Sequence, residues 1–318
     1  MLLGTALVFV FICGANDGGA LLALATRHRA RSNPLVLLVL VVAVGIGPAL
    51  FGLAVARTFT HRLLAGAGDN AQTAFLVAAA VAIVIVLTLT WKGIPTSITL
   101  ALLGALAGAT AGFGTRPAWG HLGFILLLGI LAPLVGLAVA YLLGSLVRRL
   151  PVLPRISRLT GGVQLLAFAG QSLAYAANDG QKMFAVVIMA AAALGHPLLG
   201  GFQVGPAIAV AAVFAAGSAL SLRRVSLGAT TGLLRARPGH VISAEIASSV
   251  AVFGSAGVGV PVSITQSTTG GLVGAALMDG HHRVRWQYAV PLVVAWVVTL
   301  PAGLAGGALA AVLVEGLL

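Results

Sequence analysis

Two aspartates stand at matching positions inside long apolar stretches of the sequence. Asp17 and Asp179 each lie in an Ala-Asn-Asp-Gly segment, and the second copy comes 162 residues after the first. A carboxylate is costly inside a membrane, and the chain has only six acidic residues. We therefore interpret Asp17 and Asp179, with the neighbouring amides of Asn16 and Asn178, as cation ligands or proton carriers at breaks in membrane helices. The alternative is that each aspartate caps a helix in an ordinary turn, because Asn-Asp-Gly also favours turns.

A second pair of matching segments supplies hydroxyl groups. Residues 93–99 read Gly-Ile-Pro-Thr-Ser-Ile-Thr, and residues 259–265 read Gly-Val-Pro-Val-Ser-Ile-Thr. Proline at the first helical position fits a helix start, so each segment predicts a helix N-terminus whose free N–H groups and positive dipole end attract an anion. Hydroxyl groups in the first turn add further donors: Ser97, Thr99, Ser263 and Thr265. The alternative is an ordinary kinked membrane helix whose Ser and Thr side chains bond to its own backbone.

The two motifs together predict that an anion is transported with a cation. Helix N-termini attract anions whereas carboxylates repel them, so a site that holds both requires a cation or proton to enter with the anion. Lys182 either neutralises Asp179, contacts the anion, or extends from a helix end into the interface. Glu245 is either an interior cation ligand or relay, or an interfacial residue. A passive anion channel and a membrane-embedded enzyme are the remaining alternatives; the enzyme is disfavoured because no acid–base–nucleophile set stands apart from the repeated motifs.

The composition predicts that a lipid bilayer surrounds the elements carrying these motifs. Of the 318 residues, 59% are hydrophobic and 8% are charged, whereas a soluble domain has about 25% charged residues. A water-soluble enzyme is therefore excluded, and the length suffices for roughly ten spans of about 20 residues. The 42 glycines predict helices that approach one another closely.

The net charge of +12 indicates loops rather than a nucleic-acid partner. The arginines form three short clusters between apolar runs, as is typical of cytoplasmic loops: Arg27, Arg29 and Arg31; Arg148, Arg149, Arg155 and Arg158; Arg223, Arg224, Arg235 and Arg237. Cys13 is the one cysteine, so no intrachain disulfide forms. The sequence contains no Gly-x4-Gly-Lys-Ser/Thr phosphate loop, and neither a nucleotide nor another cofactor is expected.

The repeated motifs divide the chain into two halves. Residues 1–147 form the first predicted transmembrane repeat, 148–158 a basic linker and 159–318 the second repeat. Duplicated halves with Gly and Pro breaks point to the binding site of a secondary transporter. We predict an all-α polytopic membrane protein whose broken or re-entrant helices meet near the bilayer midplane.

These motifs resemble the inorganic phosphate transporter (PiT) family across both halves. The family's Asn-Asp-x-Gln-Lys motif is matched from Asn178 through Gln181 to Lys182, and its Pro-Val-Ser segment is matched at 261–263. This chain departs from the family pattern at Ala20, where many members have a second Asn, and at Leu100 and Gln266, which replace a histidine.

The resemblance implies an α-helical transporter of two inverted repeats in the plasma membrane, moving phosphate with sodium ions or protons. It implies that phosphate binds among Ser97, Thr99, Ser263, Thr265, Gln266, Asn16, Asn178, Gln181 and Lys182. It implies cation or sodium ligands at Asp17 and Asp179, with Asn16, Asn178 and Glu245 assisting. Sulfate, another tetrahedral oxyanion carried by some relatives, is the alternative substrate. A homodimer is implied by the resemblance alone.

Overall fold

The computed structural model describes residues 2–27, 33–92, 96–149, 156–196, 203–222, 233 and 236–317, and every regular element in these ranges is a helix. The α-helices in chain order are α1 (Leu2–Cys13), α2 (Gly19–Ala25), α3 (Asn33–Phe51), α4 (Ala54–Arg57), α5 (Ala71–Trp91), α6 (Ile98–Gly112), α7 (Trp119–Arg149), α8 (Ile156–Ala177), α9 (Gln181–Ala193), α10 (Val204–Leu222), α11 (Pro238–Gly257), α12 (Ile264–Leu277) and α13 (Trp286–Glu315). Several sequence features lie outside the described residues: Pro95, linker residues 150–155, and Arg29, Arg31, Arg155, Arg223, Arg224 and Arg235.

Six described segments are long and apolar enough to cross a membrane: Leu2–Ala25, Asn33–Phe51, Gly68–Trp91, Trp119–Arg149, Val204–Ser221 and Trp286–Glu315. Large apolar side chains project outward from these helices, as lipid contact requires, and Leu134 and Val297 are examples. The prediction of an all-α polytopic membrane protein is confirmed. The helices α6, α9 and α12 have only 15, 13 and 14 residues, fewer than the about 20 residues that a full span needs.

The two aspartate motifs lie where the regular α-helical geometry is interrupted. Gly14–Gly18 forms a π-helical turn between α1 and α2, and the backbone on either side stays right-handed helical. The first motif is therefore a bulge in a continuous helix and not the predicted break. Between α8 and α9, residues 178–180 form a turn in which Gly180 N–H donates to Tyr175 O at 2.7 Å. Single π-helical turns inside α-helices occur frequently at functional sites.

The two hydroxyl motifs precede the short helices α6 and α12. Ser97 Oγ accepts from Leu100 N–H at 3.3 Å, and Ser263 Oγ accepts from Gln266 N–H at 3.5 Å, so each serine caps its helix. The expectation that proline occupies the first helical position is wrong for the second copy, because α12 begins at Ile264, three residues after Pro261. At 1.5 Å per residue each helix is about 20 Å long, which is shorter than the bilayer core.

Glycines bring these short helices against long helices of the other half. Gly104 and Gly108 of α6 lie against the backbone of α13, and a Cβ at either position would overlap a carbonyl oxygen there. Gly270 and Gly274 of α12 lie in the same way against the backbone of α7. The helix α3 packs on α8, and α10 packs on α1 and its π-helical turn. The two predicted halves therefore interlock, and each short helix is held by a helix from the opposite half.

One polar cluster is centred on Asp279, in the loop after α12. Asp279 accepts hydrogen bonds from Arg148 and from His240 Nε2, the latter at 2.9 Å, and Arg237 lies 3.6 Å from its carboxylate. Partial burial by itself raises the pKa of Asp279, but the hydrogen bonds from Arg148 and His240 outweigh it and hold that pKa below its usual range. This loop therefore joins α7, α11 and α12.

The Asp279→Asn variant should be less stable than the parent at neutral pH, by about 1 kcal/mol or less because the arginines are half exposed. Since the folded-state pKa is lowered, the carboxylate stabilises the fold above its ordinary pKa and loses that effect as the pH falls through the lowered value. Thermal unfolding of parent and variant in detergent should thus differ near neutral pH and converge in acid. An equal difference at every pH would contradict this role for the charge.

Candidate functional site

Lys182 lies at the centre of a buried charged cluster. Its ammonium nitrogen is 3.0 Å from Asp17 Oδ2, 2.6 Å from Asp179 Oδ1 and 3.0 Å from Thr99 Oγ1. The side chains of the lysine and both aspartates are at most 3% exposed. We call Asp17, Thr99, Asp179 and Lys182 the charged centre. The two aspartates that the repeat singled out are thus brought together, although they lie 162 residues apart.

Asp179 connects the charged centre to the starts of both short helices. Its Oδ1 accepts from Thr99 Oγ1 at 2.8 Å, in the first turn of α6. Its Oδ2 accepts from Ile264 N–H at 2.5 Å, at the first residue of α12. A carboxylate is favoured at a helix N-terminus because the free N–H groups and the dipole are positive there. The two predicted anion-binding helix starts therefore converge on one carboxylate of the protein itself.

The amide side chains beside the aspartates mainly hold backbone segments in place. Asn178 donates from Nδ2 to Ser255 Oγ and to Val260 O, both at 2.9 Å, and accepts from Val262 N–H at 3.1 Å. It fixes the chain just ahead of α12. Asn16 differs, because its Nδ2 donates to Asp17 Oδ1 at 2.9 Å and so orients that carboxylate.

Gln181 fixes the start of α4. Its Oε1 accepts from Val55 N–H at 2.9 Å and from Ala56 N–H at 3.1 Å, while its Nε2 donates to Ala177 O at 2.7 Å. These three hydrogen bonds of the Gln181 amide are all made to backbone groups. A role for Gln181 or Asn178 as a phosphate ligand stays a prediction, and it requires exchange of these bonds.

The remaining predicted anion ligands lie along the start of α12. Ser263 Oγ is 2.9 Å from Thr265 Oγ1, and the side chain of Gln266 is buried one turn later. A cavity of about 20 Å³ lies beside Thr265, Thr268 and Ala20. This volume fits about one water molecule, so a tetrahedral oxyanion requires the surrounding helices to move apart.

Glu245 belongs to a separate polar region between α8, α11 and α12. It is fully buried, and within the described part of the chain neither carboxylate oxygen has a hydrogen-bond partner. One turn away, Gln171 Nε2 donates to Ser248 Oγ at 2.8 Å and to Thr268 Oγ1 at 2.9 Å. The sequence reasoning selected Glu245 and missed Gln171, Ser248 and Thr268. The sequence could have indicated these three residues, because each is a polar residue within an apolar helical stretch.

A larger cavity adjoins the elements that carry the charged centre. It has a volume of about 420 Å³ and lies beside α4 and α9. Arg57 and His61 contribute basic groups to its wall, and Phe184, two residues after Lys182, contributes an apolar surface. The sequence reasoning did not select Arg57 or His61, because neither residue lies in one of the two repeated motifs.

A multi-pass helical protein with a buried charged centre at the starts of two short helices has features that secondary transporters share. The model of the phosphate transporter family matches residues 13–162 and 151–307. The chain therefore belongs to the phosphate transporter family, and the resemblance read from its motifs is confirmed.

Curated relatives match along most of this chain. A probable low-affinity inorganic phosphate transporter of Bacillus subtilis (strain 168) is 25% identical over 312 residues, covering 96% of this chain and 93% of that protein. A protein of the same description from Mycobacterium tuberculosis (strain ATCC 25618 / H37Rv) is 32% identical over 322 residues, covering 95% and 74%. A putative phosphate permease of Methanocaldococcus jannaschii is 27% identical over 294 residues, covering 91% and 89%.

A solved structure described as the sodium-dependent phosphate transporter has the same fold. It superposes with a TM-score of 0.79 over 99% of this chain and 98% of the other, at 15% sequence identity. At that identity the likeness concerns the fold alone.

Proposed function

We propose that this chain carries inorganic phosphate across the membrane together with sodium ions or protons, by alternating access of a central site. The names of its relatives support phosphate as the substrate. The observation that carries the proposal is Asp179, whose carboxylate receives donors from the starts of both α6 and α12 and pairs with Lys182.

This geometry explains why an anion would need a coupling cation. Ile264 N–H and the Thr99 hydroxyl are donors that an oxyanion at these helix starts would use, and Asp179 holds both of them. Two anions at one buried place repel each other strongly. A cation or proton that neutralises Asp179 would release the donors to phosphate, so loading of the cation and of the anion would depend on each other.

We further propose that the two halves are inverted repeats, and that groups of helices drawn from both halves rock about this site. Serine caps the corresponding helices α6 and α12 in the same way, and each is clamped by a long helix of the other half. Such interlocking would let α6 move together with α13, and α7 move together with α12. The small cavity beside Thr265 then corresponds to a closed state of the site.

The carboxylates favour phosphate over sulfate at this site. At neutral pH phosphate keeps at least one proton, which can be donated to Asp17 or Asp179, whereas sulfate is fully deprotonated and offers no donor. A site that hydrogen-bonds a ligand proton rejects the analogue without it. Sulfate is therefore the second candidate, and the buried aspartates disfavour it.

Uptake into proteoliposomes tests this function. Labelled phosphate and sulfate are supplied separately, each under an imposed sodium gradient and under an imposed proton gradient. We expect phosphate uptake to exceed sulfate uptake by at least about tenfold under the productive gradient. Faster sulfate uptake would reassign the substrate, and uptake of neither anion would contradict the proposal.

A further inference from the structure

We propose that Lys182 is a built-in counter-cation that fills the sodium position of the charged centre, so that phosphate transport by this chain does not need sodium ions. This inference rests on the proposed phosphate symport and specifies which coupling ion that centre excludes. It concerns this chain's own residues, because the likeness to the sodium-dependent transporter extends only to the fold.

The ammonium group takes the oxygens that a sodium ion would need. Small hard cations bind carboxylate and hydroxyl oxygens, and the charged centre offers Asp17 Oδ2, Asp179 Oδ1 and Thr99 Oγ1. All three lie within 3.0 Å of Lys182 Nζ. Each of the remaining carboxylate oxygens already accepts a hydrogen bond, from Asn16 Nδ2 or from Ile264 N–H.

Lys182 cannot withdraw from this position in the way that a dissolved ion can. Lys182 is the second residue of α9, three residues after Asp179, and its side chain is 1% exposed. If the ammonium left both aspartates, it would be a buried charge without a partner, which is strongly unfavourable. A sodium ion that enters between the aspartates would therefore have to displace a tethered cation of the same charge.

The charge of the centre supports the same conclusion. Two carboxylates and one ammonium leave one net negative charge, whereas two carboxylates without the lysine would leave two. The lysine thus supplies permanently one of the positive charges that a pair of buried aspartates requires. Removing the ammonium while keeping the length of the side chain should vacate the site for sodium.

The test compares Lys182→Met with Lys92→Met, which changes the only other lysine of the chain. Lys92 is exposed at the end of α5. Full-length protein is reconstituted, and labelled phosphate uptake is driven by an inward proton gradient with either sodium or choline chloride outside. Thermal unfolding in detergent is measured in the same two salts, because an ion that binds the folded state raises its stability.

We expect the parent and Lys92→Met to take up phosphate equally in both salts, within about twofold, and to show no sodium-specific stabilisation. In choline, Lys182→Met should take up phosphate at least about tenfold more slowly than the parent. In sodium, its uptake should recover and its unfolding temperature should rise. Sodium-specific stabilisation of the parent would overturn the proposal, as would a folded Lys182→Met that sodium neither stabilises nor activates.

The two proposals fail in different ways. If Lys182→Met does not fold, the parent's own response to sodium decides: equal stability in the two salts supports the built-in cation, and a sodium-specific increase overturns it. If the parent moves no phosphate under either gradient, the proposed function fails. The parent's unfolding in sodium and choline still tests the role of Lys182 in that case.

Discussion

The Asp179→Asn variant is expected to lose at least about 100-fold of its coupled phosphate uptake while still inserting into the membrane. The asparagine can keep the bond from Ile264 N–H only by turning its amide nitrogen toward Lys182 and Thr99. An N–H donor would then replace Oδ1, the acceptor that now lies 2.6 Å from the ammonium nitrogen of Lys182. The variant also cannot gain and lose the charge that the proposed coupling uses.

Asp69→Asn is the matched control for this variant. Asp69 is exposed in the short helical turn Gly68–Asn70, so the same chemical change is made to an exposed carboxylate. Its uptake should equal that of the parent. Uptake of labelled phosphate is compared after the amount of inserted protein has been measured for each variant. Normal uptake by Asp179→Asn would remove this residue from the site.

The Gly108→Ala variant should be destabilised by about 2 kcal/mol, which is typical when an atom is forced into a closely packed contact. The new Cβ would overlap the carbonyl oxygen of Leu304 in α13, and this oxygen belongs to backbone that has little room to shift. Separation of α6 from α13 would also displace Thr99, since Thr99 lies in the first turn of α6. We expect a lower unfolding temperature in detergent and weaker phosphate uptake.

Gly123→Ala provides the comparison for this packing effect. Gly123 lies in α7, is exposed, and has no atom within 4 Å of the position that a Cβ would take. Its unfolding temperature should stay within about 2 °C of the parent or rise slightly, because alanine favours the helix over glycine. If the two variants unfolded at the same temperature, the close approach of α6 and α13 would have no energetic weight.

The location of the charged centre could be predicted because acidic residues are rare and costly in a membrane. The chain has only six acidic residues among 318, so two aspartates at matching positions of repeated motifs were informative. The structure brings both of them, Asp17 and Asp179, to the same lysine. The sequence also predicted a helix start at each hydroxyl motif, but Ser97 and Ser263 cap α6 and α12 and do not lie in the first helical turn as expected.

Apart from the pairing of Lys182 with Asp179, the partners within the site could not be predicted, because they depend on contacts between distant parts of the chain. The amides of Asn178 and Gln181 satisfy backbone groups at Val260 and Val55, and no local pattern specifies those pairs. The interlocking of the halves is equally hidden, since the same glycines also suit packing within one half. The π-helical turn at Gly14–Gly18 differs from a true break only in its backbone bonding.

Steady-state accumulation of phosphate in proteoliposomes tests the central claim most directly. Vesicles containing the protein are loaded with phosphate at the external concentration, an inward cation gradient is applied, and the internal concentration is followed. The account predicts that phosphate rises above the external concentration and returns to it when the gradient is dissipated. Movement of phosphate only down its own gradient, whatever cation gradient is imposed, would contradict coupled transport and indicate a passive channel.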